Sequence, residues 1–136
     1  TLRLSAHFDP LTELPNRILL SNQVQQAMTH CVLNNQLVAI AFIDLDGFNA
    51  INDRYGHSVG DQFLQKISQH LKSSLRDGDT LARIGGDEFV AVINQLNDIK
   101  DSHAALTRLL ESAATGLDID GHFLKVTASI GVTFYP

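Results

Sequence analysis

Four carboxylates stand where chain geometry could make a reaction centre of them. Asp44 and Asp46 flank Leu45 where an apolar run, Leu37 to Ile43 (LVAIAFI), stops. Asp87 and Glu88 follow Gly85-Gly86 in L-A-R-I-G-G-D-E-F-V-A-V, where two strand-like runs meet at a turn. The turn uses the glycines but gains nothing from the acids. A carboxylate at the end of a buried strand is rigidly held and still projects toward solvent. Asp also makes turns and caps helices, so Asp44 and Asp46 alone carry either meaning. If the hairpin pairs beside residues 37–43, Asp87 or Glu88 comes close to Asp44. Such carboxylates repel one another unless a cation lies between them. Oxygen-only ligands favour Mg²⁺ over zinc, and Mg²⁺ shares its shell with substrate phosphates. In isolation, a plain exposed turn accounts for Asp87 and Glu88 equally well.

Further residues could recognise what such a cation carries. Asp46-Gly47-Phe48-Asn49 is a strand-to-helix turn whose backbone N–H groups can face a di- or triphosphate. Glycines such as Gly85 and Gly86 let a bulky ligand approach the backbone. An Asp at position 61 can accept the paired donors of guanine's Watson–Crick edge, and the Asn52 amide can serve its donors and acceptors. Read singly, Asn52 and Asp61 are more often surface or capping groups. An EF-hand is excluded, because Phe48 and Asn49 replace a ligand and the glycine that loop requires. The six histidines are scattered without zinc-type spacing. No Ser or Cys lies in a nucleophile motif.

The elements that must position these residues follow from periodicity. Pro15 marks a helix start, with Ile18, Leu19, Val24, Ala27, Met28 and Cys31 at helical spacing. Leu37–Ile43 reads as a buried strand, residues 48–54 as a short helix ended by Gly56, and Ser58 as the cap of a longer helix striped by Phe63, Leu64, Ile67, Leu71 and Leu75. Strands near 79–84 and 88–94 flank the glycines. A helix over residues 98–114 is lined by Ile99, Leu106, Leu109 and Leu110. Asp120-Gly121 turns a hairpin between strands 116–119 and 122–135. The order α-β-α-α-β-β-α-β-β predicts an α/β sandwich with an antiparallel component.

Bulk properties narrow the function. The chain has 136 residues, net charge −5 and 44% hydrophobic residues. That size fits one domain with a real core. The acidic balance argues against a nucleic-acid backbone binder but permits a nucleotide held through a metal. No apolar run reaches membrane-spanning length, and the single cysteine, Cys31, points weakly to a reducing compartment.

Together these pieces resemble one family. Gly85-Gly86-Asp87-Glu88-Phe89 spells the GGDEF motif of diguanylate cyclases. Asp9 to Arg17 (DPLTELPNR) resembles the family's opening motif, Asp44 to Asp61 (DLDGFNAINDRYGHSVGD) its metal- and nucleotide-binding block, and Thr127 to Val132 its late strand. The resemblance spans about residues 7–136. It implies an α+β core, a mostly antiparallel sheet flanked by helices, related to the polymerase palm and the adenylyl cyclase catalytic domain. It implies condensation of two GTP into cyclic di-GMP and pyrophosphate across a homodimer, with Mg²⁺ or Mn²⁺. It assigns Asp44, the Leu45 carbonyl and Asp87 to the metal, Asn52 and Asp61 to guanine, and His57 to the nucleotide site. Asp87 or Glu88 would deprotonate the 3′-hydroxyl. Arg76 and Asp79, an R-x-x-D five residues before Gly85, would form the product-inhibition site, although Arg76 alone reads as a cation near a helix C-terminus.

Two positions depart from the family pattern. Asn49 stands where a lysine is common, which would lower turnover, and Glu13 replaces a usual glycine. Residues 1–6 read as the end of an upstream linker helix, and the family's basic C-terminal helix is not reached before Pro136. The implied location is cytoplasmic, within a parent protein that could be membrane-attached, with no nucleic-acid or membrane contact by this segment. The alternative is a catalytically weak GTP- or cyclic di-GMP-binding regulatory domain, of the kind joined to an EAL phosphodiesterase domain.

Overall fold

The computed structural model describes residues 6–136, so the linker-helix expectation for residues 1–6 lies outside the described residues except at Ala6. The apolar run continues through both acids as strand β1, Leu37–Asp46. Asp44 and Asp46 are therefore strand residues, not turn residues. β1 is flanked by β3 (Glu88–Leu96) and β6 (Thr127–Tyr135), and β2 (Thr80–Gly85) lies outside β3, giving the order β2-β3-β1-β6. Every pairing is antiparallel.

β1 lies centrally and is packed on both faces, which is why it reads as a continuous apolar run. On one face, Ala41, Ile43 and Leu45 join Phe89 and Ala91 in the main core. That core is completed by Phe63, Leu64, Ile67 and Leu71 of α3 (His57–Ser73) and by Leu109 and Ala113 of α4 (His103–Ala114). The other face receives α1 (Arg17–Leu33), whose Leu20, Val24, Ala27 and Cys31 cover Val38, Ile40 and Val92. That cover ends before Phe42, which is 52% exposed. Phe42, Asp44 and Asp46 alternate onto this same open face.

Several local expectations change. α1 begins at Arg17 rather than at Pro15, capped by Asn16, whose side chain accepts from the Ile18 and Leu19 amides. Ile18 is exposed, because the buried stripe of α1 starts a turn later. Ser58 does not cap α3. Gly56 occupies that position with φ 91, between α2 (Phe48–Tyr55) and α3, and no side chain caps the helix. Leu75 lies past the end of α3 yet still packs against the core.

The helix expected over 98–114 divides into a 3₁₀ turn, Ile99–Ser102, and α4. Asp98 and Asp101 form a reciprocal capping box on that turn. This rotates Ile99 and Leu110 outward, and Ala105, Leu109 and Ala113 form the buried stripe. The expected strand 122–135 breaks at Lys125-Val126 into β5 (His122–Leu124) and β6, so a separate hairpin of β4 (Leu117–Ile119) and β5 precedes the edge strand. Asp120 (φ 49) and Gly121 (φ 82) make its two-residue turn, as the sequence predicts.

Candidate functional site

The register of β1 against β3 sets Asp44 opposite Glu88. The loop joining β2 to β3 is Gly86-Asp87, with Gly85 still in β2, so Asp87 is itself a turn residue. Gly85 (φ 154) and Gly86 (φ 49) both use the left-handed side of backbone space, which only glycine enters freely. The Leu45 amide donates to the Asp87 carbonyl at 3.2 Å, stitching the turn to the end of β1. Burial, then the neighbouring Asp44 carboxylate and the charge of Glu88, push the Asp87 carboxyl above its ordinary value, outweighing a backbone hydrogen bond that pulls it down.

Asp44 and Asp87 are thus an oxygen-only pair that repel each other and could hold a hard divalent cation. Among the described residues no group of three or more His, Cys, Asp or Glu converges. A cation here would complete its shell with backbone oxygen, water or a substrate phosphate, as Mg²⁺ commonly does. Asp46 is engaged elsewhere. Its carboxylate accepts from the Ser129 hydroxyl at 2.8 Å and the Thr127 hydroxyl at 3.2 Å, tying β1 to β6. Neither Asp caps α2, whose N-cap is Gly47 at φ 88.

Gly47 allows β1 to turn directly into α2, leaving Asn49 exposed in the first turn while Phe48 and Ile51 anchor the helix in the core. Asn52 points from α2 onto the first turn of α3. Its Oδ1 is buried without a hydrogen-bond partner and lies against Gly60, immediately before the exposed Asp61. His57 is the exposed first residue of α3. The Asn52 amide therefore meets α3 at Gly60, the residue next to Asp61.

Arg76 and Asp79 are also together, but they bond each other. The Asp79 side chain is 1% exposed and accepts from the Arg76 guanidinium at 3.3 Å, the Arg76 amide at 3.1 Å and the Asn94 amide at 2.9 Å. Arg76 also donates to the Asn94 carbonyl.

Sequence reasoning missed Arg83. Its Nη1 lies 3.0 Å from both Asp9 carboxylate oxygens, and its Nε donates to the Gly86 carbonyl at 2.9 Å. Its own amide donates to the Pro15 carbonyl at 3.0 Å. The opening motif is thereby bolted to the glycine turn. A lone Arg in an apolar strand beside that turn was the available signal. Asp9 also accepts from the Thr12 amide and hydroxyl. Burial pulls the Asp9 carboxyl up, but these bonds and the guanidinium outweigh it and hold it below the usual range.

Residues 6–136 match the family model described as "Diguanylate cyclase, GGDEF domain". The chain belongs to the GGDEF-domain family. This GGDEF domain is 38% identical over 135 residues to the bifunctional diguanylate cyclase/cyclic di-GMP phosphodiesterase MucR of Pseudomonas aeruginosa, covering 99% of the chain and 19% of MucR. It is 40% identical over 136 residues to the cyclic di-GMP phosphodiesterase NbdA of the same organism, covering 100% of the chain and 17% of NbdA. The solved GGDEF domain of P. aeruginosa TpbB superposes with TM-score 0.91 at 34% identity, covering 96% of the chain and 76% of that structure. The α+β architecture expected from the sequence is the one observed. The chain spans under a fifth of the length of MucR and NbdA. Among the described residues no helix is long and apolar enough to cross a membrane.

Proposed function

We propose that this GGDEF domain condenses two molecules of GTP into cyclic di-GMP, releasing two pyrophosphates, as a homodimer with one GTP on each copy. The observation that carries this reading is the meeting of Asp87 with Asp44 at the end of β1. Asp44, the Leu45 carbonyl and Asp87 would hold Mg²⁺ or Mn²⁺. When bound, the ion neutralises triphosphate charge and lowers the barrier to in-line displacement. The amides of Gly47, Phe48 and Asn49 would orient phosphate oxygens, and Gly85 and Gly86 would let the nucleotide approach the backbone. Asn52 and Asp61 would read the guanine edge, beside His57.

In each half-reaction the 3′-oxygen of one GTP forms a bond to the α-phosphorus of the other. The bond from that phosphorus to the bridging oxygen breaks, and pyrophosphate leaves with the electron pair. The 3′-hydroxyl proton passes to the carboxylate of Asp87 or Glu88. The second half-reaction closes the ring. Product inhibition would use Arg76 and Asp79, with Asp79 exchanging its present donors for guanine.

The experiment is incubation of the protein with GTP and Mg²⁺ at high protein concentration, with cyclic di-GMP detected by mass spectrometry. Product that vanishes in Asp87→Ala, with the fold retained, supports the cyclase. GTP binding without product favours a regulatory domain that serves an attached phosphodiesterase. The likeness to NbdA and the Asn49 substitution are what favour that second reading.

A further inference from the structure

Gly60 lies inside the first turn of α3, a place where glycine is among the poorest choices for helix stability. Its φ is not in the left-handed region, so the backbone does not demand it. The space where its Cβ would stand is already taken. A Cβ built there would lie 1.8 Å from Asn52 Oδ1 and 2.9 Å from Asn52 Cγ, with Phe48 Cζ next at 3.4 Å. The carboxamide that fills this space has a buried oxygen with no hydrogen-bond partner. A buried acceptor in that condition is costly and calls for an explanation.

We propose that Gly60 is a positioning residue for base recognition, acting through Asn52. The missing side chain lets the Asn52 carboxamide seat its oxygen against α3 at the residue before Asp61, leaving its amide nitrogen to share one base edge with Asp61. The inference rests on the assignment of Asn52 to guanine made above. Any side chain at position 60 would push the amide away from Asp61 and weaken guanine binding while leaving the phosphate contacts in place.

The test is a double-mutant cycle on Gly60→Ala and Asn52→Ala. Binding is measured by calorimetry with a GTP analogue carrying a methylene at the α,β-bridge, which cannot be condensed, and with its adenine counterpart. Each single variant is expected to weaken the guanine analogue about tenfold, the scale of one lost hydrogen bond, and to leave the adenine analogue unchanged. The double variant should bind no more weakly than Asn52→Ala. Wild-type affinity in Gly60→Ala, or an equal further loss in the double variant, overturns the proposal alone. Wild-type affinity in Asn52→Ala overturns the guanine assignment as well. If Gly60→Ala does not fold, folding of the double variant supports the proposal, because removing the Asn52 amide then relieves the clash. If neither folds, the backbone itself needs the glycine and the proposal fails.

Discussion

Arg83 holds both carboxylate oxygens of Asp9 at 3.0 Å while its Nε donates to the Gly86 carbonyl. The two side chains are mostly buried, 14% and 16% exposed. The pair therefore does more than a surface ion pair would, because solvent screens it less. Arg83→Met removes the fork but keeps the apolar stem. It should cost about 2–3 kcal/mol, since it leaves Asp9 without its charged partner. It should also reduce cyclic di-GMP formation, because the Gly86-Asp87 turn loses a tether. Thermal unfolding and initial rates check both.

The same pair sets a pH signature. The Asp9 carboxyl is held below its ordinary value in the folded domain. Its stabilising contribution is therefore complete above the unfolded-state value of about 4, and is lost as pH falls through the lower folded value. The stability gap between the wild type and Asp9→Asn should be constant near neutrality and shrink below about pH 4. Urea titrations across that range measure it; a gap that widens on acidification would contradict the assignment.

Glu13 adopts φ 63 in the loop closed by the bond from its amide to the Asp9 carbonyl. A side chain there carries left-handed strain of about 1–2 kcal/mol, partly offset by the greater unfolded-state freedom of glycine. Glu13→Gly should raise stability by about 0.5–1 kcal/mol. A melting temperature unchanged or lowered would show that the Glu13 side chain makes a compensating contact.

Asp44 and Asp46 share a face of β1 but differ in their work. Asp46 is bonded to Ser129 and Thr127, and Asp44 faces the Gly86-Asp87 turn. Asp44→Asn should weaken Mn²⁺ binding by about tenfold or more, the scale of one lost charged ligand. Asp46→Asn should leave that affinity within about twofold and cost about 1 kcal/mol through its hydroxyl bonds. Mn²⁺ titration followed by paramagnetic resonance separates them.

Much of this domain was legible from residue order. The β1 run, the Asp87-Glu88 acids after their glycines and the Asp120-Gly121 turn each declare themselves within a few neighbouring residues, and local chemistry decides them. The errors came where one local signal overrode another. Ser58 is a good cap by type, but Gly56 reaches φ 91 and takes the position. Ile99 and Leu110 fit a continuous helical stripe, yet the capping box of Asp98 and Asp101 starts a 3₁₀ turn that shifts the phase. Arg83 was invisible for a different reason: it pairs with a residue 74 positions away in sequence, Asp9.

β1 precedes both of its partners in the chain, and β6, which pairs with it from Val38–Tyr135 to Asp46–Thr127, comes last. During synthesis the strand bearing Asp44 emerges long before either neighbour can cover its edges. The acid pair cannot form until Asp87 has followed, and Asp46 finds Ser129 only when the last strand is made. The meeting of Asp44 with Asp87 is thus a late event in the life of the polypeptide. A truncated or stalled chain would display an apolar strand with open edges and its acids apart.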